Sequence, residues 1–265
     1  MVKETVAKGS VMASTANINS QDERVGAQAP ILQVRNLSKA FGAMKAVNNL
    51  SFEIAAGEVF GIAGPNGAGK TTVFNLITGF LQGSGEVRFE GKDVTNLKPY
   101  QICHRGIART LQIPQIFSTL DVFNNVRFGA HFGNKRQADG DEAEIIQRVL
   151  DFVGLQDDKT TIAENVDLFH KKLIMIAAAL ATQPRMLLLD EPIGGLSPAE
   201  IDPLIKLIRK INQELNITVI IIEHLMKVLK ELSHRLMILH YGEEIRIGPP
   251  AEVMQDEKVK EVYLG

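Results

Sequence analysis

Gly64-Pro65-Asn66-Gly67-Ala68-Gly69-Lys70-Thr71-Thr72 fills every position of the phosphate-binding pattern G-x-x-x-x-G-K-[ST]. Its flanks fit the same chemistry. Glu58 to Ala63 (EVFGIA) reads as a short apolar strand, and Val73 to Phe80 continues as an apolar-rich helix. Glycines at 64, 67 and 69 let backbone N–H groups turn inward around phosphate oxygens. The new helix aims its unpaired amides and positive dipole end at the same point. In this pattern Lys70 reaches the β- and γ-phosphates and the Thr71 hydroxyl ligates Mg²⁺. The expected ligand is a nucleoside triphosphate.

Composition narrows the class. A chain of 265 residues, 45% hydrophobic, is long enough for one large core or two smaller ones. The formal net charge of −2 argues against nucleic acid as the main partner, since no basic run offers phosphate backbones a footprint. A single cysteine, Cys103, excludes an internal disulfide and fits a reducing compartment. Its neighbour His104 points elsewhere on a helix, so the two are not a catalytic pair. The six histidines lack metal-ligand spacing, and no structural metal is expected. The longest apolar stretch, Leu173 to Ala181, is about half a membrane span.

Residues 1–29 are rich in Ser, Ala, Asn and Gln and read as a disordered tail without the apolar core of a secretory signal. From Ile31, β-like segments (Ile31 to Val34, Leu50 to Ile54, Val59 to Ile62, Glu86 to Phe89) alternate with turn residues such as Asn48-Asn49 and Gly83-Ser84-Gly85. They predict an antiparallel β layer beside the phosphate loop. From about Lys92 to Thr182 the pattern reads as helix without a comparable strand. Ile145, Val149, Phe152 and Val153 share one face there, and Gly154 closes that helix. The last third alternates strand and helix (Met186 to Leu189, Thr218 to Ile222, Leu236 to Leu239), as in a parallel sheet.

Met186-Leu187-Leu188-Leu189-Asp190-Glu191-Pro192 is the second chemical element. Four apolar residues predict a buried central strand, and α/β sheets place ligands at the carboxyl tips of such strands. There Asp190 is expected to hold the Mg²⁺ shell, and Glu191 to orient or deprotonate water. Ser197-Pro198-Ala199-Glu200 is a capping box that stops the acidic turn and opens a helix with Ile201, Leu204, Ile208, Ile211 and Leu215 on its apolar face. The strand Thr218 to Ile222 then delivers Glu223 and His224 to the same sheet edge, where His224 is expected to sense a γ-phosphate.

Taken in order, GPNGAGKTT, LLLDEP, GGLSP and IIEH resemble the nucleotide-binding subunit of an ATP-binding cassette (ABC) transporter over about residues 31–264. The 120 residues from Lys70 to Asp190 leave room for that family's helical subdomain, and no N-K-x-D guanine motif supports a GTPase. The resemblance implies an α/β P-loop NTPase of ABC type, with a RecA-like parallel sheet core, an antiparallel β layer and an inserted helical subdomain. It implies a single ABC ATPase domain over residues 30–265, with 30–91 and 183–265 forming the α/β core and about 92–182 the helical part. It also implies ATP and Mg²⁺ as cofactors.

Residue by residue, Phe41 in Ser38-Lys39-Ala40-Phe41-Gly42 matches the family's adenine-stacking aromatic. Gln112 in Ala108-Arg109-Thr110-Leu111-Gln112 matches the glutamine that reaches Mg²⁺ and water, and His224 matches the switch histidine. Segments such as GIARTLQ, ATQPRMLLLDEP and GPPAEVMQDEKVKEVYLG look more narrowly like importer ATPases for branched-chain or hydrophobic amino acids. Urea transport, lipid export or a regulatory nucleotide-binding role stand as alternatives.

One segment departs from the family. Its L-S-G-G-Q signature should fall at Val166-Asp167-Leu168-Phe169-His170, where Ser, both glycines and Gln are missing. Asp167 sets a carboxylate toward an anion unless Lys171 or Lys172 compensates. In the family's head-to-tail dimer this segment meets the partner's ATP. The expectation is therefore a heterodimer with a second ABC ATPase subunit, one competent site being built on this chain's phosphate loop. The resemblance further implies integral membrane permease subunits, indirectly a substrate-binding protein, and a place on the cytoplasmic face of the inner membrane. Phe117, Ser118, Thr119 and Leu120, near Gln112, are the candidate permease contact.

Overall fold

In the computed structural model, which describes residues 29–133 and 140–264, a long hairpin of β1 (Leu32–Phe41) and β2 (Met44–Ile54) comes first, followed by β3 (Val59–Ala63) and α1 (Lys70–Ile77). Then come β4 (Ser84–Phe89), β5 (Lys92–Asp93), α2 (Pro99–Cys103), β6 (Ile107–Arg109), α3 (Val122–Phe132) and α4 (Glu142–Val153). The chain continues through α5 (Leu168–Ala181), β7 (Met186–Asp190), α6 (Pro198–Leu215), β8 (Thr218–Ile222) and α7 (Met226–Leu232). It ends with β9 (Arg235–His240), β10 (Glu243–Gly248), α8 (Pro250–Val253) and α9 (Glu257–Leu264). The tail expected at residues 1–29 lies outside the described residues apart from Ala29.

Two sheets form. One is antiparallel, in the order β2-β1-β4-β5; the other runs β10-β9-β3-β8-β7-β6, parallel except for the β9–β10 hairpin at its edge. Strands β3, β7 and β8 are buried at all five positions, as continuous apolar runs covered on both faces must be. The twofold alternation of side chains divides them between two cores. Phe60, Ile62, Leu188 and Ile220 face α1 and the antiparallel sheet, whereas Val59, Leu187, Leu189 and Ile221 face the helices from α3 onward. Ser197 caps α6 by the reciprocal bond of its N–H to Glu200, and Gly154 ends α4 at φ 84°.

Four local expectations change. Val59 to Ile62 belongs to the centre of the parallel sheet, between β8 and β9, and not to the antiparallel layer. The middle of the chain does carry a strand: β6 pairs in parallel with β7 from Ile107↔Met186 to Arg109↔Leu188, so the large sheet reaches into the segment read as helical. Three residues are too few to show a period in sequence. Asn48-Asn49 is no turn; β2 runs through it, with Asn49 at φ 51° where the β1 pairing shifts register. The β10 strand, polar and half exposed, gave no apolar alternation to detect.

Helices α3 and α5 approach closely at Gly129, where a Cβ would collide with the Ala178 carbonyl. Gly129→Val should therefore destabilise the fold by about 1–3 kcal/mol or more, with Gly129→Ala milder. A shift of the urea midpoint checks this, and a variant as stable as the parent would contradict the packing.

Candidate functional site

The phosphate loop leaves the tip of β3 and enters α1 through Gly69, which caps the helix at φ 102°. A side chain there would strike the Ala46 carbonyl, and one at Gly64 the Leu239 carbonyl, so β2 and β9 fix the loop's path through bare backbone. Lys70 is buried, and its Nζ donates to the carbonyls of Gly64 (2.7 Å) and Pro65 (2.9 Å). Burial pulls its pKa below the ordinary lysine value, while Glu191 and Asp190 oppose that shift. The first-turn amides of α1 have no helical acceptor and point the positive end of the helix at the loop.

Asp190 is the last residue of β7 and is buried. Its pKa is pushed up by burial, an effect opposed by Arg109, whose Nη2 donates to Oδ2 at 2.7 Å. Glu191 adopts φ 47°, a left-handed conformation that costs a non-glycine residue about 1–3 kcal/mol and turns its side chain out of strand direction. Its carboxylate then receives two of the other residues expected here. Gln112 Nε2 donates to Oε2 at 2.5 Å, and His224 Nε2 lies 2.7 Å from Oε1. Three residues from three separate segments thus meet at one carboxylate.

Thr71 is exposed and Thr72 half-buried on the first turn of α1, and Pro65, Asn66, Gly67 and Ala68 complete the loop between them and β3. Phe41, 45% exposed, closes β1 opposite Met44, on the hairpin whose second strand packs Ala46 against Gly69. The Lys39 ammonium lies over its ring, 5.4 Å from the centre. As for a metal, Thr71, Gln112 and Asp190 offer only oxygen donors, the set a small hard cation takes. Among the described residues no group of three or more His, Cys, Asp or Glu could hold an ion alone. A cation here would need phosphate oxygens to complete its shell, which suits Mg²⁺ carried by a nucleotide. Such an ion would neutralise phosphate charge.

At Val166 to His170 the segment opens α5. Asp167 is its N-cap and accepts from the His170 amide (2.9 Å), with His170 Nδ1 at 2.7 Å. Those hydrogen bonds, the backbone one first, hold the Asp167 carboxyl below its usual range. Lys172 does not compensate it. Only 2% exposed, Lys172 turns inward and its Nζ donates to the Glu191 carbonyl at 3.3 Å. Sequence reasoning gave no role to Arg109, three residues before Gln112, and placed Glu223 at this sheet edge without one; Glu223 is buried and accepts from the Ile193 amide at 2.9 Å. No motif points to a role for Arg109; only the end of β6 brings it in.

The family model for the ABC transporter matches residues 47–194. The chain is 33% identical over 250 residues to the high-affinity branched-chain amino acid transport ATP-binding protein BraF of Pseudomonas aeruginosa, covering 89% of this chain and 98% of that protein. It is 32% identical, with the same coverage, to the corresponding protein LivG of Escherichia coli K12. A crystal structure of the ADP conformation of an ATP-binding cassette superimposes with a TM-score of 0.82 at 33% identity, covering 90% of this chain and all of that one. A nucleotide-free cassette gives 0.81 at 32%, over 89% of this chain.

Glu223 yields a pH prediction. Burial raises its pKa to about 7, above the ordinary carboxylate value of 4.5. A raised acid stabilises the fold fully below the unfolded pKa, and that contribution is lost as pH climbs through the folded one. Between pH 5 and 8 the parent should lose up to about 3 kcal/mol that Glu223→Gln keeps. Urea unfolding of both at the two pH values measures it; parallel losses would contradict it.

Proposed function

We propose, for a chain that belongs to the ABC transporter family, that it is the nucleotide-binding subunit of an importer for branched-chain or other hydrophobic amino acids. The family is one of ATP-binding cassette ATPases, and the chain shares that activity. The substrate class rests on the similarity to BraF and LivG, whose names state branched-chain amino acid transport. The single observation that carries the catalytic part is the meeting of Gln112 and His224 on the Glu191 carboxylate beside the phosphate loop.

In this reading the backbone of Gly64 to Gly69, with Lys70, Thr71 and Thr72, wraps the triphosphate, and Phe41 stacks on adenine. Asp190, Thr71 and Gln112 would face Mg²⁺. Glu191 is the general base that draws the proton from attacking water, with His224 and Gln112 holding the carboxylate between turnovers and exchanging onto γ-phosphate and water when nucleotide binds. Within the segment of about 92–182, the helices from α3 to α5 serve as the helical subdomain, β6 belonging to the large sheet. An aromatic groove of about 470 Å³ at its junction with the core, walled by Phe80, Tyr100, Phe117, Phe128 and Phe132, is the seat for a permease segment. None of the helices among the described residues is long and apolar enough to cross a membrane, which leaves that task to partner subunits on whose cytoplasmic face this chain would sit.

Asp167 supports asymmetry. A capping carboxylate already satisfies the N-terminus of α5, so this end repels a partner's γ-phosphate where the family has a serine. A heterodimer with a second ATPase subunit, working at the site on this chain's own loop, follows.

The purified chain alone should hydrolyse ATP slowly, and the chain with its co-purifying ATPase and membrane subunits briskly. Glu191→Gln in that complex should lower turnover by about 10²–10⁴ while ATP still binds. Brisk hydrolysis by the lone chain would overturn the asymmetric dimer. Unchanged turnover in Glu191→Gln would overturn the assignment of the base.

A further inference from the structure

Arg109 stands outside the motifs that identify the site, yet it is the most heavily furnished side chain in it. It leaves the end of β6, the edge strand beside β7, and forms an ion pair with Asp190 in which both side chains are almost wholly buried. A second nitrogen is held by α1 and the turn after it, while Nε stays buried without a hydrogen-bond partner. Nη1 donates to Asn75 Oδ1 at 2.6 Å and to Thr78 Oγ1 at 3.3 Å. The cation lies over two rings, 5.4 Å from the centre of Phe74 and 5.8 Å from that of Phe80. Phe74 is fully buried, but Phe80 is 58% exposed and, with Thr78 and Arg109 itself, lines the aromatic groove.

A carboxylate with one oxygen pinned by a planar, five-donor fork loses its side-chain rotation. Oδ2 of Asp190 is taken by Arg109, which leaves Oδ1 as the oxygen for a cation's shell. Outer partners of this kind set how tightly a ligating residue holds its ion. We propose that Arg109 is a positioning residue that aims Asp190 at the nucleotide's metal, and that its seat on Phe80 ties that aim to the wall of the aromatic groove. The inference rests on the nucleotide site proposed above. It adds a connection, because a segment seated against Phe80 presses on the same guanidinium that steers Asp190.

The test uses the full chain with ADP and Mn²⁺ as probes, Mn²⁺ affinity being read by electron paramagnetic resonance. A fluorescent ADP without metal is titrated alongside. Arg109→Gln should weaken Mn²⁺ binding to the ADP complex by about 10- to 100-fold, leave metal-free ADP affinity unchanged, and be partly rescued by Arg109→Lys. Phe80→Ala, which touches neither nucleotide nor Asp190, should weaken Mn²⁺ binding by about two- to fivefold. If Arg109→Gln fails to fold, Arg109→Lys and Phe80→Ala carry the same comparison. Parental Mn²⁺ affinity in these variants overturns the proposal, as does an equal loss of metal-free ADP binding, which would mark a purely structural pair. A parent chain that binds no ADP would instead overturn the nucleotide site itself.

Discussion

Three strands buried at all five positions, apolar except for Thr218 and the terminal Asp190, constrain everything else in this molecule. β3, β7 and β8 lie side by side in one register, so that Ile62 and Asp190 both pair with Ile222. Their interiors are too apolar to hold chemistry, and the first polar residues after each must gather at one edge. That edge receives the phosphate loop from β3, Asp190 and Glu191 from β7, and Glu223 and His224 from β8. Glycine governs how closely the neighbours approach: the carbonyls of Ala46 and Leu239 occupy the space where side chains at 69 and 64 would be.

The charges at that edge are mutually dependent. Lys70 is desolvated, and two acids across the cleft offset part of the cost. Asp190 is desolvated too, and Arg109 answers it. Glu191 alone of the group lies in a left-handed backbone conformation, steadied by its amide on Ile222, by Lys172 and Gly194 on its carbonyl, and by Gln112 and His224 on its carboxylate. A strained backbone at the residue best placed to activate water is what a site with a preset geometry would hold.

Much of this was legible in the chain. The glycine pattern, the LLLDEP run and the IIEH tip each carry a local rule, a phosphate cradle or an apolar strand ending in acid, and the Thr218 to Ile222 strand falls where its apolar run ends. Ser197 and Gly154 cap their helices as turn chemistry requires. What stayed hidden depends on contacts far apart in sequence. β6 is three residues long and exists because β7 offers it an edge; Arg109 matters because β6 sets it 81 positions away beside Asp190. Lys172, named with Lys171 as a charge to compensate Asp167, is instead buried under Glu191, since helical spacing alone does not say which face of α5 meets the acidic loop.

The central claim is that residues 64–72 and the acid pair together hold a Mg²⁺-bound nucleotide. Isothermal titration of the purified chain with Mg-ATP tests it most directly, with Lys70→Ala as the paired sample. The account predicts saturable, one-to-one, Mg²⁺-dependent binding to the parent chain and its loss in Lys70→Ala. No heat of binding with the parent, or the same isotherm from both, would contradict it.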